Sequence, residues 1–119
     1  MRRAAPEGFP RAARLRKRSE FLRVQQRGKK VVAGPLVGLA LPSGASTARL
    51  GVTVSSKVGN AVIRARVRRH LREFFRRHRA GLPPLDLVVI ARSEASRASG
   101  AELRAAFAAL LSSLDRNFA

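Results

Sequence analysis

Between Lys57 and Arg79 the chain reads KVGNAVIRARVRRHLREFFRRHR, with eight arginines, one lysine and two histidines against one acid, Glu73. The chemistry open to such a set is anion binding. A guanidinium fork grips two phosphate oxygens at once, and its flat face stacks on an exposed base. Acid–base and metal chemistry are poorly supplied. His70 and His78 stand eight residues apart with no cysteine or carboxylate at supporting positions, so surface or phosphate-contact roles suit them better than a metal pair. Asp86, Glu94, Glu102 and Asp115 are scattered, and spacing alone places no two of them for general acid and base work. The phosphate loops GxxxxGK and GxGxxG are both absent.

The whole chain carries the same bias. It has 119 residues, room for one domain and one modest core, with a formal net charge of +18. A charge of ~2 to 8 serves solubility at this size, so the excess calls for a polyanionic partner, nucleic acid first and an anionic membrane surface second. Hydrophobic residues make up 45%, which is enough for a packed core despite the charge. The lack of cysteine excludes a disulfide scaffold and thiolate metal sites and agrees with a reducing compartment. No apolar run is long enough to span a membrane, and the basic N-terminus lacks the apolar stretch of a secretory signal, so a soluble protein of the cytoplasm is expected.

The elements that must hold the arginines follow from periodicity. Residues 1–14 mix prolines, Gly8 and four arginines around Phe9 and read as a loose basic arm; residues 15–119 are expected to form a single domain. A short helix carries Phe21, Leu22 and Val24 or Gln25, with Ser19 as its cap and Gly28 as its stop. Its surroundings, Arg11 to Lys30, hold nine basic residues and one acid. Extended segments follow at Lys29–Ala33 and Leu36–Leu41, where Pro35 and Gly38 suit an edge or a bulge, and at Leu50–Val54. The short Pro42–Thr47 loop would join the last two as antiparallel neighbours.

Asn60 caps the basic helix, on which Ile63, Val67, Leu71 and Phe74 fall within about 80° and face a core. Arg64, Arg68, Arg72 and Arg76 climb one flank at four-residue spacing, while Arg66, Arg69 and Arg77 continue round the back. Like charges so placed repel by ~0.2 to 0.5 kcal/mol per pair unless an anion binds. A solvated face would normally intersperse acids; here Glu73 alone can pair, with Arg69 or Arg77.

Leu85–Ala91 is an apolar strand suited to the middle of a sheet, and Ser99 with Glu102 opens a last, mainly apolar helix. The order predicts an α+β two-layer sandwich with a mixed sheet, and the general rule gives its strand–helix–strand crossover a right hand. No zinc-finger spacing, zipper or helix-turn-helix pair accompanies the basic helix, which puts RNA slightly ahead of duplex DNA. Phe21 either closes the core or borders a groove for single-stranded RNA.

The run Lys57, Gly59, Asn60, Ala61, Arg64, Arg66, Arg68, Arg69, Arg72 and Glu73, with RLRKRSEFLRV and RLGVTVSSK before it and LDLVVIAR after it, resembles the protein component of bacterial ribonuclease P. The resemblance spans most of Leu15 to Leu114. It implies a mixed four-stranded sheet with three helices and a left-handed β-α-β crossover, against the general rule. It also implies a subunit of the ribonucleoprotein endonuclease that removes the 5′ leader from precursor tRNA, with catalysis and bound Mg²⁺ in the RNA subunit. The partners implied are that catalytic RNA and precursor tRNA, with no membrane and no obligatory protein partner.

Carried over by motif, Lys57, Asn60, Arg64, Arg66, Arg68, Arg69 and Arg72 would face the catalytic RNA, and Phe21, with Arg18 and Gln25, the leader cleft. Two positions depart from the family pattern. Ala65 replaces the usual Asn between the signature arginines, and Gln25 stands where an aromatic is common, which shifts leader binding there toward hydrogen bonding. The competing reading of the same charge and fold is a ribosomal or ribosome-assembly protein that clamps rRNA.

Overall fold

The computed structural model describes residues 13–43 and 47–118, with side chains described as far as Leu114. Its elements are α1 (Arg18–Arg27), β1 (Lys29–Ala33), β2 (Leu36–Pro42), β3 (Arg49–Val54), α2 (Ala61–His78), β4 (Leu85–Ala91) and α3 (Gly100–Phe118). Short 3-10 turns lie at Arg79–Gly81 and Ser93–Ser96. The strands form one mixed sheet in the order β1-β2-β4-β3, antiparallel except for the β3–β4 pair.

The expected sandwich of a mixed four-stranded sheet and three helices is therefore present, with one change of neighbours. β2 and β3 do not pair, because β4 lies between them and bonds to both. Nor is β2 an edge strand. Pro35 belongs to the β1–β2 turn, beside Gly34 at φ +54°, a conformation that favours glycine. Gly38 makes no bulge; a Cβ there would stand 3.2 Å from Leu110 of α3, so its missing side chain lets that helix settle close to the sheet.

The two faces of the sheet are covered unequally. On one, α2 and α3 bury Val67, Leu71, Phe74, Phe75, Leu103, Phe107 and Leu110 against Leu36, Leu50, Leu87 and Val89. Each large side chain so buried contributes ~1.5–3 kcal/mol. On the other face α1 stands alone, packing Val24 and Phe21 on Leu39 and Val88. β4 is apolar apart from Asp86 because helices lie on both of its faces.

The hand of the β3–α2–β4 crossover follows from residue chirality. In an extended L-chain running upward, a residue whose side chain points at the observer turns its N–H and C=O to the observer's right. Leu50 points to the α2 side, and its carbonyl accepts from the N–H of Leu15 at 2.9 Å, away from β4. Seen from α2, β4 thus lies left of β3, and the chain moves left as it crosses in front. The crossover is left-handed, as the resemblance implied and against the general rule.

That same hydrogen bond bears on the arm. Residues 1–12 lie outside the described residues, but Ala13 is buried and Arg14 bridges Leu50 in parallel register, so the end of the arm is part of the domain.

Candidate nucleic-acid interface

The basic helix starts where its sequence says it should. Asn60 Oδ1 accepts from the N–H of Ile63 at 3.0 Å, and Val67, Leu71, Phe74 and Phe75 form the buried seam with Ile63 at its margin. The seam holds α2 rigid, and the remaining arc presents the cations. Arg64 Nε donates to the carbonyl of Gly59 at 3.2 Å, and Arg68 Nη2 donates to that of Val54 at 3.5 Å. The first bond keeps Arg64 on the loop before its own helix, and the second draws Arg68 to the end of β3.

Arg72 continues the row. Burial, followed by the like charges of Arg14 and Arg68, pushes its pKa below the ordinary arginine value while leaving it a cation at neutral pH. Arg14, Arg68 and Arg72 thus form a cluster of like charge at the edge of β3 away from β4. Lys57 and Asn60 are exposed in the loop and cap that lead into the same row.

Arg66 differs from the rest of the motif. Its Nη2 donates to the carbonyls of Ser96 and Ala98, at 3.4 and 3.2 Å, tying α2 to the turn before α3. Arg69 is exposed on the back of the helix, between the two flanks. Glu73 pairs with neither Arg69 nor Arg77, as its i+4 spacing suggested, but accepts from Arg76 Nη2 at 2.6 Å, three residues on. His78 stacks on Phe74 at a centroid distance of 4.0 Å, with Nδ1 2.8 Å from the Phe74 carbonyl oxygen. Among the described residues no three His, Cys, Asp or Glu side chains come together as a metal site would require.

A second surface lies across the sheet. Helix α1 is capped at Lys17 rather than Ser19: Glu20 Oε1 accepts from the N–H groups of Lys17 and Arg16, at 3.0 and 2.9 Å, which leaves Ser19 inside the helix. Gly28 turns extended to end it, and only glycine fits there, since a Cβ would meet the carbonyl oxygens of Val24 at 2.5 Å and Ala40 at 2.9 Å. A charged clamp fixes α1 to the sheet. Arg49 of β3 donates from Nε and Nη2 to both oxygens of Asp86 at 2.8 Å each, and from Nη1 to Glu20 Oε2 at 3.2 Å. Arg23 adds a longer contact to Asp86, which is 1% exposed. The N–H groups of Lys17 and Arg16, then Arg49, hold the Glu20 carboxyl below its ordinary range.

With Glu20 and Arg23 turned to that side, the helical period puts Arg18, Leu22 and Gln25 on the opposite flank. There the register Val32–Val37–Ile90–Thr53 runs across four strands as a row that the α1 cluster covers only in part, with Val37 and Ile90 half-buried and Val32 53% exposed. The Phe21 ring floors the junction. It lies over Gly51, where a Cβ would be 2.5 Å from Cε2, so the ring is half-buried and joins core to groove. Sequence reasoning missed Leu22 and the four-strand row. Their signal is the unbroken apolar run Leu36–Leu41, since a strand apolar on both faces has a second face to cover.

A sequence profile of the family Ribonuclease P matches residues 9–115. The chain belongs to the ribonuclease P protein family. It is 41% identical over 111 residues to the ribonuclease P protein component of Desulfosudis oleivorans, covering 92% of each chain. It is also 52% identical over 85 residues to that of Gluconacetobacter diazotrophicus, covering 69% of this chain and 73% of the other.

Among solved structures, a Staphylococcus aureus RNase P protein superposes with a TM-score of 0.81 at 30% identity, covering 84% of this chain and 93% of that one. The Thermotoga maritima RNase P protein gives 0.74 at 35% identity, covering 82% and 94%. As a ribonuclease P protein, the chain is a subunit of the ribonucleoprotein that removes the 5′ leader from precursor tRNA, and the RNA subunit carries the catalysis. No described helix is long and apolar enough to cross a membrane.

Proposed function

We propose that the two surfaces divide the work of the ribonuclease P protein, with the cationic row of α2 holding the catalytic RNA and the groove beside α1 receiving the leader. The observation that carries this reading is the cluster of Arg14, Arg68 and Arg72 at the β3 edge, where like charges crowd. RNA phosphate removes that repulsion and releases counterions, so binding and relief of repulsion coincide. Lys57, Asn60 and Arg64 extend the contact along the helix, Arg69 borders it from the back, and Arg66 ties α2 to the turn before α3 on the other flank.

In the groove, Phe21 offers part of a ring face to an unstacked base, Arg18 meets a phosphate, and Gln25 hydrogen-bonds to a base edge or sugar. The apolar row Val32, Val37 and Ile90 accepts base faces and sugars. The protein supplies position and charge but no nucleophile. When bound by the RNA and the substrate phosphates, Mg²⁺ supplies an activated water for hydrolysis, and protein cations at the junction lower the Mg²⁺ concentration the assembly needs.

The test is Arg64→Ala with Arg68→Ala, measured as affinity for the catalytic RNA over a range of salt. Arg64 bonds only the loop before its own helix and Arg68 reaches β3 through one long bond to Val54, so melting should change little. Binding should weaken, and the slope of log affinity against log salt should fall by about 1.4 to 1.8 for two lost cations. Unchanged binding at moderate salt removes the row from the interface.

A further inference from the structure

The flank of α2 that faces α3 presents a separate feature, an open groove of about 660 Å³ between the two helices. Arg69, His70 and Arg77 line it from α2 and Arg104 lines it from α3, beside the Glu73–Arg76 pair. Glu73 is its one acid and is bound to Arg76. The guanidinium groups of Arg69, Arg77 and Arg104 make no hydrogen bond or ion pair with any described residue, so three like charges from two helices converge on one concavity. A merely solvated cationic face would spread its charges outward over a convex surface. Here all three line one concavity, where field lines concentrate.

His70 reports on that field. Its ring rests against the first residue of α3, since a Cβ on Gly100 would stand 2.6 Å from Cε1. Burial and then the charges of Arg69, Arg66 and Arg104 hold the imidazole below its ordinary pKa. An anion seated among these arginines would offset the repulsion and let the ring take a proton.

We infer that the α2–α3 groove is a second phosphate-binding site, which holds a stretch of RNA backbone other than the one gripped by Arg64, Arg68 and Arg72. A helix with side chains is ~10–12 Å across, so α2 would stand as a wedge between two RNA segments and fix their spacing. This rests on the RNA-binding reading above, because cations alone would accept any polyanion. The second segment belongs either to the catalytic RNA or to precursor tRNA.

Both arms of the test use the full-length protein. In Arg77→Ala with Arg104→Ala, salt dependence is measured for binding of the catalytic RNA and, in the holoenzyme, for binding of precursor tRNA. The expected result is a slope smaller by about 1.4 to 1.8 in one arm, and that arm names the source. Equal slopes in both arms overturn the inference. Should the variant melt early, NMR titration of His70 in the unsubstituted protein decides. A ten-nucleotide RNA at saturation is expected to raise the imidazole pKa, and an unmoved pKa overturns the site. A loss of slope in this variant with full binding by the Arg64, Arg68 variant would sink the row and leave the groove standing; the converse sinks the groove alone.

Discussion

Gly51→Ala separates the two proposed surfaces, because it disturbs Phe21 without touching an arginine. The new methyl would stand 2.5 and 2.6 Å from Phe21 Cε2 and Cζ and 3.3 Å from Leu15 Cβ. The ring cannot retreat freely, since α1 is fixed through Glu20, Arg49 and Asp86. It must rotate off the sheet or tilt the helix, an overpacking cost of about 1–3 kcal/mol. For a domain of this size that lowers the melting temperature by roughly 4–12 °C.

Losing one base stacked on the ring costs ~1–3 kcal/mol, which is about fivefold to 150-fold in affinity. The assay compares precursor tRNA with leaderless tRNA on the holoenzyme, alongside direct binding of the protein to the catalytic RNA. Leader-dependent affinity should fall while binding to the catalytic RNA stays. A protein that melts early but binds the leader unchanged would show Phe21 to be packing alone. Parallel loss of both affinities would show that the surfaces do not act separately.

Asp86→Asn should cost about 2–3 kcal/mol in urea unfolding. It strips the nearly dry end of the clamp from Arg49, which keeps Glu20 at 3.2 Å and thus falls below the ~3–5 kcal/mol usual for a fully broken buried pair. Replacing Asp86 and Arg49 together by leucines should recover much of that loss, and a double variant as unstable as the single one would contradict the clamp. Glu20 gives stability a pH dependence. Its folded pKa lies below the ordinary 4.5, so its contribution is complete above that value and is lost as pH falls through the folded one. Acid unfolding of Glu20→Gln should therefore be the shallower below pH 4.5, and identical acid limbs would refute the assignment.

What the sequence disclosed was what local periodicity carries. The four-residue and three-residue spacings from Ile63 to Phe74 located the buried side of α2, Asn60 gave its start, and Ser99 with Glu102 formed the reciprocal cap before α3. Neighbours in the sheet were another matter. A short Pro42–Thr47 loop favours pairing of β2 with β3, but nothing local reveals that a strand more than thirty residues later inserts between them.

The clamp was hidden for the same reason, since Arg49 and Asp86 are 37 residues apart and meet only through β3–β4 register. Asp86 within LDLVV did carry a signal, because a charge in an otherwise apolar central strand must find a partner. Glu73 shows the limit at short range: i+3 and i+4 partners are both within reach of a helical carboxylate, and rotamers chose Arg76. The left-handed crossover came from family resemblance, then from the Leu15–Leu50 hydrogen bond, and from no periodicity.

The central claim is that this chain lends charge and position to an RNA that breaks the bond itself. Its most direct test is cleavage of precursor tRNA at low Mg²⁺ by the catalytic RNA, with and without the protein, beside the protein alone. The account predicts leader removal only when both are present. Equal cleavage without the protein, or any cleavage by the protein alone, would contradict it.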